Sequence, residues 1–353
     1  MDRKFMKGCE AIAEAAIRGG CRFFAGYPIT PQNEIPEYLS RALPKAGGTF
    51  VQGESEIASV SMIYGAAAAG ALAMTTSSSP GISLMSEGIS HLAAAQLPAV
   101  IVNVMRAGPG MGTIQPAQSD YFQAAKAAGH GGFRTITFAP GTLQEAVDLT
   151  YKAFEYALRD LNPVIVAPDG FIGAIMEPVN LPPYKELPPV PNWASVGRGD
   201  REHINLILNG GVHEAQQMGK NKQAAKTYEN WAENDVMVEE YMVEDAEYVF
   251  AAYGTSGRIC KACVDNLRAQ GIKAGLIRPI TISPFPYASF QKLDSNRVKY
   301  IIDAEMSIPA QMIEDVKIGI EGRVPIETVL TSGGIIMSSK AIMEKVLSLV
   351  KEV

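Results

Sequence analysis

The chain has 353 residues, of which 47% are hydrophobic and 19% are charged, and its formal net charge is -6. This length predicts two α/β domains, and the sparse surface charge indicates that partner subunits cover part of the surface. The negative balance excludes the basic footprint of a protein that binds nucleic acid or an anionic membrane.

The first 21 residues carry early positive charges, but Glu10 and Glu14 interrupt what would have to be an apolar signal core. The pattern predicts an amphipathic helix over Met1 to Cys21. The longest small apolar run, residues 65–74, is about half of the roughly 20 residues that span a bilayer. We therefore expect a cytoplasmic protein without a membrane segment.

From residue 21 onward, apolar runs rich in β-branched residues alternate with Ala-rich helical runs. Continuously apolar strands that alternate with helices predict a parallel sheet with helices on both faces. Ligands of such sheets bind beyond the carboxyl ends of the strands. The loops that follow Phe24, Gln52, Met74 and Met105 are expected at that edge.

Six prolines between Pro178 and Pro191 indicate a linker, since proline interrupts both helices and central strands. The polar stretch from Asp200 to Glu247 predicts an exposed helical extension, and a second α/β unit follows it. The predicted division is therefore 1–177, 178–246 and 247–353.

Four cysteines are present, and Cys260 and Cys263 form a single C-x-x-C on a predicted helix. A zinc ion or a cubane cluster needs about four ligands, and no second cysteine pair or nearby histidine is available. The spacing favours packing residues over a redox pair. No metal site is predicted in this chain.

The loop GYPITPQNEIPEYL places Thr30 between Pro28 and Pro31. Both prolines fix their own φ and restrict the preceding residue, so the Thr30 hydroxyl would be held in one direction. The alternative is a helix-entry loop with Thr30 as the N-cap and Pro31 near the first helical position. Local sequence favours this alternative.

Two glutamates, Glu54 and Glu56, stand before a helix with almost no charge. A carboxylate at a helix N-terminus is usually a cap, but residues two apart point in different directions, so one of the two is free for chemistry. The sequence alone does not distinguish them.

A glycine-rich segment, MRAGPGMGTIQPAQSDYF, follows the strand that ends near Met105. It has Thr113 where a dinucleotide fingerprint requires glycine, and it holds no P-loop. Arg106 remains as a cation at a strand end that could receive a carboxylate, or else pair structurally with Asp120. The preceding TTSSSPG run offers hydroxyls, and no nucleophile elbow is present.

The order of these motifs resembles the alpha subunit of the 2-oxoacid:ferredoxin oxidoreductases, and the branched-chain (2-oxoisovalerate) type more than the 2-oxoglutarate type. The motifs are GYPITPQNEIPEYL, ESEIASVSMIYGAAAAGA, TTSSSPGISLMSEGISH, VNVMRAGPGMGTIQPAQSDYFQA and GHGGFRTI. The resemblance implies a thiamine-diphosphate-fold pyrimidine-binding domain and, after residue 246, a transketolase C-terminal-like domain.

The resemblance also implies roles for residues. Glu56, with Glu54 as the fallback, would contact N1′ of the aminopyrimidine of thiamine diphosphate and promote the loss of the proton from C2. Thr30 would orient the 2-oxoacid and Arg106 would meet its carboxylate. The expected catalytic residues are thus Glu56, Thr30 and Arg106, and the expected cofactor contacts are Tyr27, Pro28, Ile29, Glu56 and Ser79.

The G-D-G/S motif that places Mg²⁺ on the diphosphate of this cofactor is missing, and so is a cysteine array for clusters. The resemblance therefore implies that a beta subunit supplies the Mg²⁺ and diphosphate site and a [4Fe-4S] cluster, and that ferredoxin-like and gamma subunits complete the complex. The implied reaction is CoA-dependent oxidative decarboxylation of a 2-oxoacid, with electrons passed to ferredoxin.

Three alternatives remain open. The first is a complete transketolase-like enzyme, which the missing diphosphate motif disfavours. The second is a non-catalytic structural subunit, which would not need Thr30, Glu56 and Arg106 together. The third is the indolepyruvate-type enzyme, whose larger chain carries more cysteines. Apolar residues such as Ile29 and Met111 favour a branched-chain substrate over 2-oxoglutarate, which would need an extra cation.

Overall fold

The computed structural model describes residues 2–126, 129–210 and 213–352. It has a seven-stranded sheet, a five-stranded sheet and a two-stranded ribbon. The strands are β1 Asp2–Lys7, β2 Phe23–Gly26, β3 Thr49–Gln52, β4 Ala73–Ser77, β5 Ala99–Asn103, β6 Ile136–Phe138, β7 Pro163–Val166, β8 Met176–Leu181, β9 Val238–Tyr241, β10 Tyr248–Ala251, β11 Ala274–Pro279, β12 Thr281–Ser283, β13 Tyr300–Glu305 and β14 Ile326–Leu330.

Helices connect most of these strands. They are α1 Gly8–Arg18, α2 Glu34–Ala42, α3 Glu56–Ala68, α4 Pro80–Ala94, α5 Tyr121–Ala125, α6 Leu143–Asp160, α7 Gly170–Ala174, α8 Glu214–Asn234, α9 Gly254–Arg268, α10 Tyr287–Gln291, α11 Ile313–Ile320 and α12 Ser339–Glu352, with a 3₁₀ turn at Pro44–Ala46.

The seven-stranded sheet has the order β12-β6-β7-β5-β4-β2-β3, and only the β12–β6 pairing is antiparallel. Strands β4, β5 and β7 are buried along their whole length, because helices cover both faces of the sheet. The α/β fold class predicted from the apolar runs is confirmed. Because β2, β3, β4 and β5 run parallel, the loops that follow these four strands all lie at the carboxyl edge of the seven-stranded sheet.

The five-stranded sheet has the order β14-β13-β10-β11-β9, with β9 antiparallel to β11. Strand β9 comes from the stretch predicted as a helical extension, which also contains α8. Strand β12 leaves the second unit and pairs with β6 of the first sheet. The three-part division of the chain remains a prediction, and the two units share strand pairing and one apolar cluster that includes Tyr121, Tyr253 and Phe285.

The amino-terminal segment differs from its prediction, and Met1 lies outside the described residues. Residues 2–7 form β1, which pairs antiparallel with β8 in the register Lys4↔Val179, and only residues 8–18 form a helix. The prediction of one helix was wrong here because pairing with a distant segment overrides local pattern. Pro178 is tolerated in β8 because this ribbon has only two strands.

Candidate active site

The Thr30 loop is not the start of a helix. Helix α2 begins at Glu34 and its N-cap position is Asn33, so the alternative in which Thr30 caps the helix is wrong. Instead, Asn33 Nδ2 donates to the Thr30 hydroxyl over 3.3 Å. The peptide bond between Thr30 and Pro31 is cis.

The loop is fixed from beneath by Gln32, which is fully buried. Its side-chain amide donates to the Tyr27 carbonyl oxygen over 3.3 Å and accepts from the Thr76 hydroxyl of β4 over 2.5 Å. The backbone N–H of Gln32 donates to the Ile29 carbonyl oxygen. Tyr27 and Pro28 are exposed, while Ile29 and Thr30 are half-buried. Sequence reasoning missed Gln32, whose type carries no signal apart from its place beside Pro31.

The two glutamates have different environments. Ser55 is the N-cap of α3, and its hydroxyl accepts from Ala58 N–H over 3.1 Å, so neither glutamate is the cap that we expected. Glu54 is exposed, whereas Glu56 is only 5% exposed. Within the described residues the Glu56 carboxylate receives no hydrogen bond. It is therefore a buried acceptor available to a ligand.

The Glu56 carboxylate lies against the first turn of α4. A Cβ atom added at Gly81 would be 2.6 Å from Glu56 Oε1 and 2.0 Å from Ser77 Oγ. The hydroxyls of Thr75, Ser77 and Ser78 are buried and have no partner in the described structure. Of these, the Ser77 hydroxyl lies with the Glu56 carboxylate beside Gly81, so two polar groups that a polar heteroaromatic ring such as an aminopyrimidine could bond stand together there. Gly81 and Ser77 were not predicted individually.

Arg106 follows β5, and the residue is 8% exposed. Its Nη1 donates to the Thr30 carbonyl oxygen over 2.8 Å and its Nη2 donates to the Met111 carbonyl oxygen over 3.1 Å. Its Nε is buried and has no partner among the described residues. Arg106 makes no ion pair with Asp120 there, so the structural pairing that we considered is not formed. The guanidinium keeps a free donor for a carboxylate.

Ser79 links Arg106 to α4. Its hydroxyl accepts from Arg106 N–H over 2.9 Å and donates to Asp120 Oδ2 over 2.6 Å. Asn103 Nδ2 donates to the same carboxylate oxygen over 3.0 Å. Burial raises the pKa of Asp120, and the hydrogen bonds from Ser79 and Asn103 oppose this rise. Ser79 has a φ of 30°, a strained backbone for a non-glycine residue.

These contacts bring the predicted residues together at the carboxyl edge of the first sheet. Glu56 contacts Gly81, which lies two residues from Ser79, Ser79 bonds Arg106, and Arg106 bonds Thr30. Each residue comes from a different strand end. The Ser79 hydroxyl is already used within the chain, so this residue holds the site together, whatever it contributes to cofactor binding.

The four cysteines are buried and unpaired. Burial raises the pKa of the Cys9 and Cys21 thiols to about 12, and that of Cys263 to about 11. Such thiols are poor nucleophiles and poor metal ligands, which agrees with the packing role expected for the C-x-x-C pair. No described helix is long and apolar enough to cross a membrane.

Two protein families match the chain. Residues 14–242 match pyruvate flavodoxin/ferredoxin oxidoreductase, thiamine diphosphate-binding, and residues 246–342 match pyruvate:ferredoxin oxidoreductase core domain II. The chain is 44% identical to ketoisovalerate oxidoreductase subunit VorB of Methanothermobacter marburgensis, over 100% of this chain and 99% of the relative. It is 37% identical to 2-oxoglutarate synthase subunit KorA of Archaeoglobus fulgidus, over 90% and 91% of the two chains.

Solved structures show the same fold. The 2-oxoglutarate:ferredoxin oxidoreductase from Magnetococcus marinus superposes with a TM-score of 0.85 and 25% identity, covering 98% of this chain and 65% of that longer chain. A split-gene transketolase superposes with a TM-score of 0.61 and 12% identity over 99% of both chains, which shows the fold alone. With the matches in sequence, these findings confirm the resemblance: the chain belongs to the 2-oxoacid:ferredoxin oxidoreductases, and its residues 14–242 form their thiamine-diphosphate-binding part.

Proposed function

We propose that this chain provides the pyrimidine-activating and carboxylate-binding half of an active site that oxidises 2-oxoisovalerate to an acyl-CoA, with electrons passed to ferredoxin. The observation that carries the proposal is two groups at one sheet edge: the carboxylate of the buried Glu56, which receives no hydrogen bond from the described chain, and the Nε of Arg106, which is buried and has no partner there. Thiamine diphosphate supplies, when bound, the carbon nucleophile that attacks a 2-oxoacid.

Glu56 accepts a hydrogen bond from N1′ of the aminopyrimidine in this proposal. Because the carboxylate is buried and no group of the described chain competes for it, its interaction with the ring is stronger than it would be in water. Arg106 Nε donates to the carboxylate of the oxoacid, while the two bonds to Thr30 and Met111 hold the guanidinium plane still. Such preorganisation lowers the cost of binding.

A partner subunit completes the site. Helix α3 exposes Ile57 and α4 exposes Leu84, each at more than half of its accessible surface, and Tyr27 and Met111 of the loops after β2 and β5 are exposed as well. Among the described residues, no group of three or more His, Cys, Asp or Glu side chains is arranged to hold a metal ion. The exposed apolar side chains, and relatives that are named as subunits, support a partner that covers part of this surface. In the proposal this partner is a beta subunit that brings the Mg²⁺, the diphosphate site and a cluster, and ferredoxin-like and gamma subunits complete the complex.

The preference for a branched side chain rests on the neighbours of Arg106 and on the relatives. Arg106 bonds the backbone carbonyl of Met111 and that of Thr30, the residue after Ile29, so the guanidinium is bonded to two segments that carry apolar side chains. Lys7 shares a cleft of about 550 Å³ with Thr30, but it is paired with Glu34. The VorB relative, named for ketoisovalerate, aligns at 44% identity, against 37% for KorA.

The test is an assay of the chain copurified with its partners, with CoA-dependent reduction of a viologen dye as the readout. We expect kcat/KM to be highest for 2-oxoisovalerate, and lower for 2-oxoglutarate and pyruvate. Arg106→Met should lower kcat/KM for all three by about a hundredfold, because they share the carboxylate that loses its charged partner. Met111→Ala should instead change the ratio between them. A preference for 2-oxoglutarate, or no reduction with any oxoacid, contradicts the proposal.

A further inference from the structure

The segment between Arg106 and α5 is bonded at its end to the second α/β unit as well as to the sheet that it leaves. Residues 107–117 form a loop with three glycines, and the residues that follow it, 118–122, are buried or half-buried and bond groups of α9 and groups that follow β13. The roles assigned above leave these contacts unexplained. They join the carboxylate-binding arginine to a unit that holds none of the predicted site residues.

Gln118 is the centre of this attachment, and it is fully buried. Its side-chain Nε2 donates to the Tyr253 carbonyl oxygen over 2.7 Å. Its Oε1 accepts from the Ser256 hydroxyl over 2.6 Å and from Met306 N–H over 3.1 Å. Its backbone N–H donates to the Met306 carbonyl oxygen over 2.9 Å, and its carbonyl oxygen accepts from the Tyr253 hydroxyl over 2.8 Å. Both main-chain groups and both side-chain atoms of one residue are thus bonded to the second unit.

A second glutamine, Gln311, belongs to the second unit and bonds the backbone of residues 119 and 122. Gln311 Nε2 donates to the Ser119 carbonyl oxygen over 2.6 Å, and its Oε1 accepts from Phe122 N–H over 2.9 Å. The Tyr121 hydroxyl donates to the buried Asp315 carboxylate over 2.6 Å. The backbone on both sides of Asp120 is therefore clamped by groups of the second unit.

Asp120 connects the segment held by the second unit to Arg106 through two hydrogen bonds. Its carboxylate accepts from Ser79, and Ser79 accepts from the backbone N–H of Arg106. Ser79 and Arg106 are buried and Asp120 is half-buried, so a broken bond would leave a polar atom poorly satisfied, which costs roughly 1–3 kcal/mol for a fully buried atom. A shift of residues 118–122 would therefore move Asp120, Ser79 and Arg106 together.

From this chain of contacts we propose that the second α/β unit positions Arg106 for the oxoacid carboxylate, with Gln118 as the principal positioning residue. The proposal rests on the role given to Arg106 under the proposed function. Gln118 touches neither substrate nor cofactor in this scheme. Gln118 determines the position of the Arg106 guanidinium. Its loss should therefore weaken binding of the oxoacid more than it slows the chemical step.

The experiment uses the intact complex carrying Gln118→Met, which keeps the length of the side chain and removes its three hydrogen bonds. We expect the KM for the oxoacid to rise about tenfold, the equivalent of one hydrogen bond to a charged group. The kcat should fall less, and the KM for CoA should stay within about twofold. Amide hydrogen exchange of residues 105–117 should become faster, which is a readout independent of activity.

Three further variants make the result decisive. Ser283→Ala removes a buried bond between the two units, from the Ser283 hydroxyl to the Thr135 carbonyl oxygen over 2.7 Å, outside the clamp. It should leave both the oxoacid KM and the hydrogen exchange of residues 105–117 unchanged.

Ser256→Ala removes one donor to Gln118 and should raise the KM for the oxoacid about threefold. This variant replaces Gln118→Met as the test if the complex with Gln118→Met does not assemble. In an Arg106→Lys background, Gln118→Met should add less than about a twofold rise.

The outcomes separate this inference from the function on which it rests. If Arg106→Lys leaves the oxoacid KM unchanged, the role of Arg106 fails and the positioning role fails with it. If Arg106→Lys raises the KM while Gln118→Met and Ser256→Ala do not, only the positioning role is overturned. Equal rises for Gln118→Met and Ser283→Ala, or additive effects in the double variant, would also overturn it.

Discussion

At the scale of single residues, the site depends on polar groups that the fold buries and leaves unpaired. Glu54 and Glu56 are the same residue type two positions apart, yet one is exposed and the other is 5% exposed. The difference arises because Ser55 starts the helix, so Glu56 becomes its first residue and turns toward α4. Buried polar groups without partners are costly, and they persist where a ligand satisfies them.

Replacing Glu56 by Gln should separate chemistry from folding. The amide has the same shape and the carboxylate receives no hydrogen bond from the described chain, so the thermal stability of the chain should change little. The turnover of the complex should fall by about 10²–10⁴, because the amide cannot accept and hold a proton as a carboxylate does. Dye reduction and thermal denaturation measure the two effects. Glu54→Gln is the matched control and should resemble the parent; equal turnover in the Glu56 variant and the parent would reject the assignment.

A methyl group at Gly81 should disturb the site from the α4 side. The added Cβ would fall 2.6 Å from Glu56 Oε1 and 2.0 Å from Ser77 Oγ, so the carboxylate or the helix must shift, at a cost of about 1–3 kcal/mol. We expect Gly81→Ala to lower both turnover and the melting temperature.

The control for Gly81→Ala is Gly219→Ala in the exposed helix α8. A Cβ added there would meet nothing within 4 Å. This substitution should stabilise the chain by about 0.5–1 kcal/mol, since alanine favours a helix interior, and should leave turnover unchanged. A Gly81→Ala enzyme with parental turnover would show that the site is roomier than the contacts indicate.

At the scale of elements, the start of α3 determines where Glu56 points. The Ser55 hydroxyl accepts from Ala58 N–H over 3.1 Å, and Thr142 caps α6 in the same way, accepting from Glu145 N–H over 3.1 Å. Ser55→Ala and Thr142→Ala should each cost about 1 kcal/mol of unfolding free energy, measured by denaturant titration. Only Ser55→Ala should also lower turnover. If both variants lose turnover equally, capping of α3 has no specific role in the site.

Much of the element order could be predicted from the sequence, because buried parallel strands leave unbroken apolar runs such as AVIVN in β5. Residues 2–7 could not, since their strand exists only by pairing with β8. Thr30 and Arg106 could be picked from their places at strand ends. Gln32, Gln118 and Gly81 could not, because their roles arise from contacts between segments far apart in the chain.

At the scale of the whole molecule, two carboxyl groups are buried together on β13 in the second unit. Asp303 is fully buried, no other donor of the described chain reaches its carboxyl oxygens, and the Glu305 carboxyl lies within hydrogen-bonding reach of it. Glu305 is also buried and accepts from the backbone N–H groups of Gln311 and Ile313. Burial and the nearby Glu305 raise the pKa of Asp303 well above its usual value of 3.8, and burial also raises that of Glu305. Of the two carboxyl groups, Asp303 is the one that we expect to hold a proton in the folded state.

The raised pKa of Asp303 gives the stability of the chain a predictable pH dependence. Above pH 3.8 and below the raised pKa, the folded state holds more protons than the unfolded state, so the free energy of unfolding decreases as the pH rises. Asp303→Asn removes this titration, so the melting temperature of the variant relative to that of the parent should increase as the pH is raised from 5 to 8.

Asp245 provides a control with the opposite sign. It is exposed and paired with Arg268, which lowers its pKa, so Asp245→Asn should be less stable than the parent at pH 8, and this difference should disappear on acidification. A difference in melting temperature between Asp303→Asn and the parent that does not change with pH would mean that Asp303 is charged in the folded state and that a partner neutralises it.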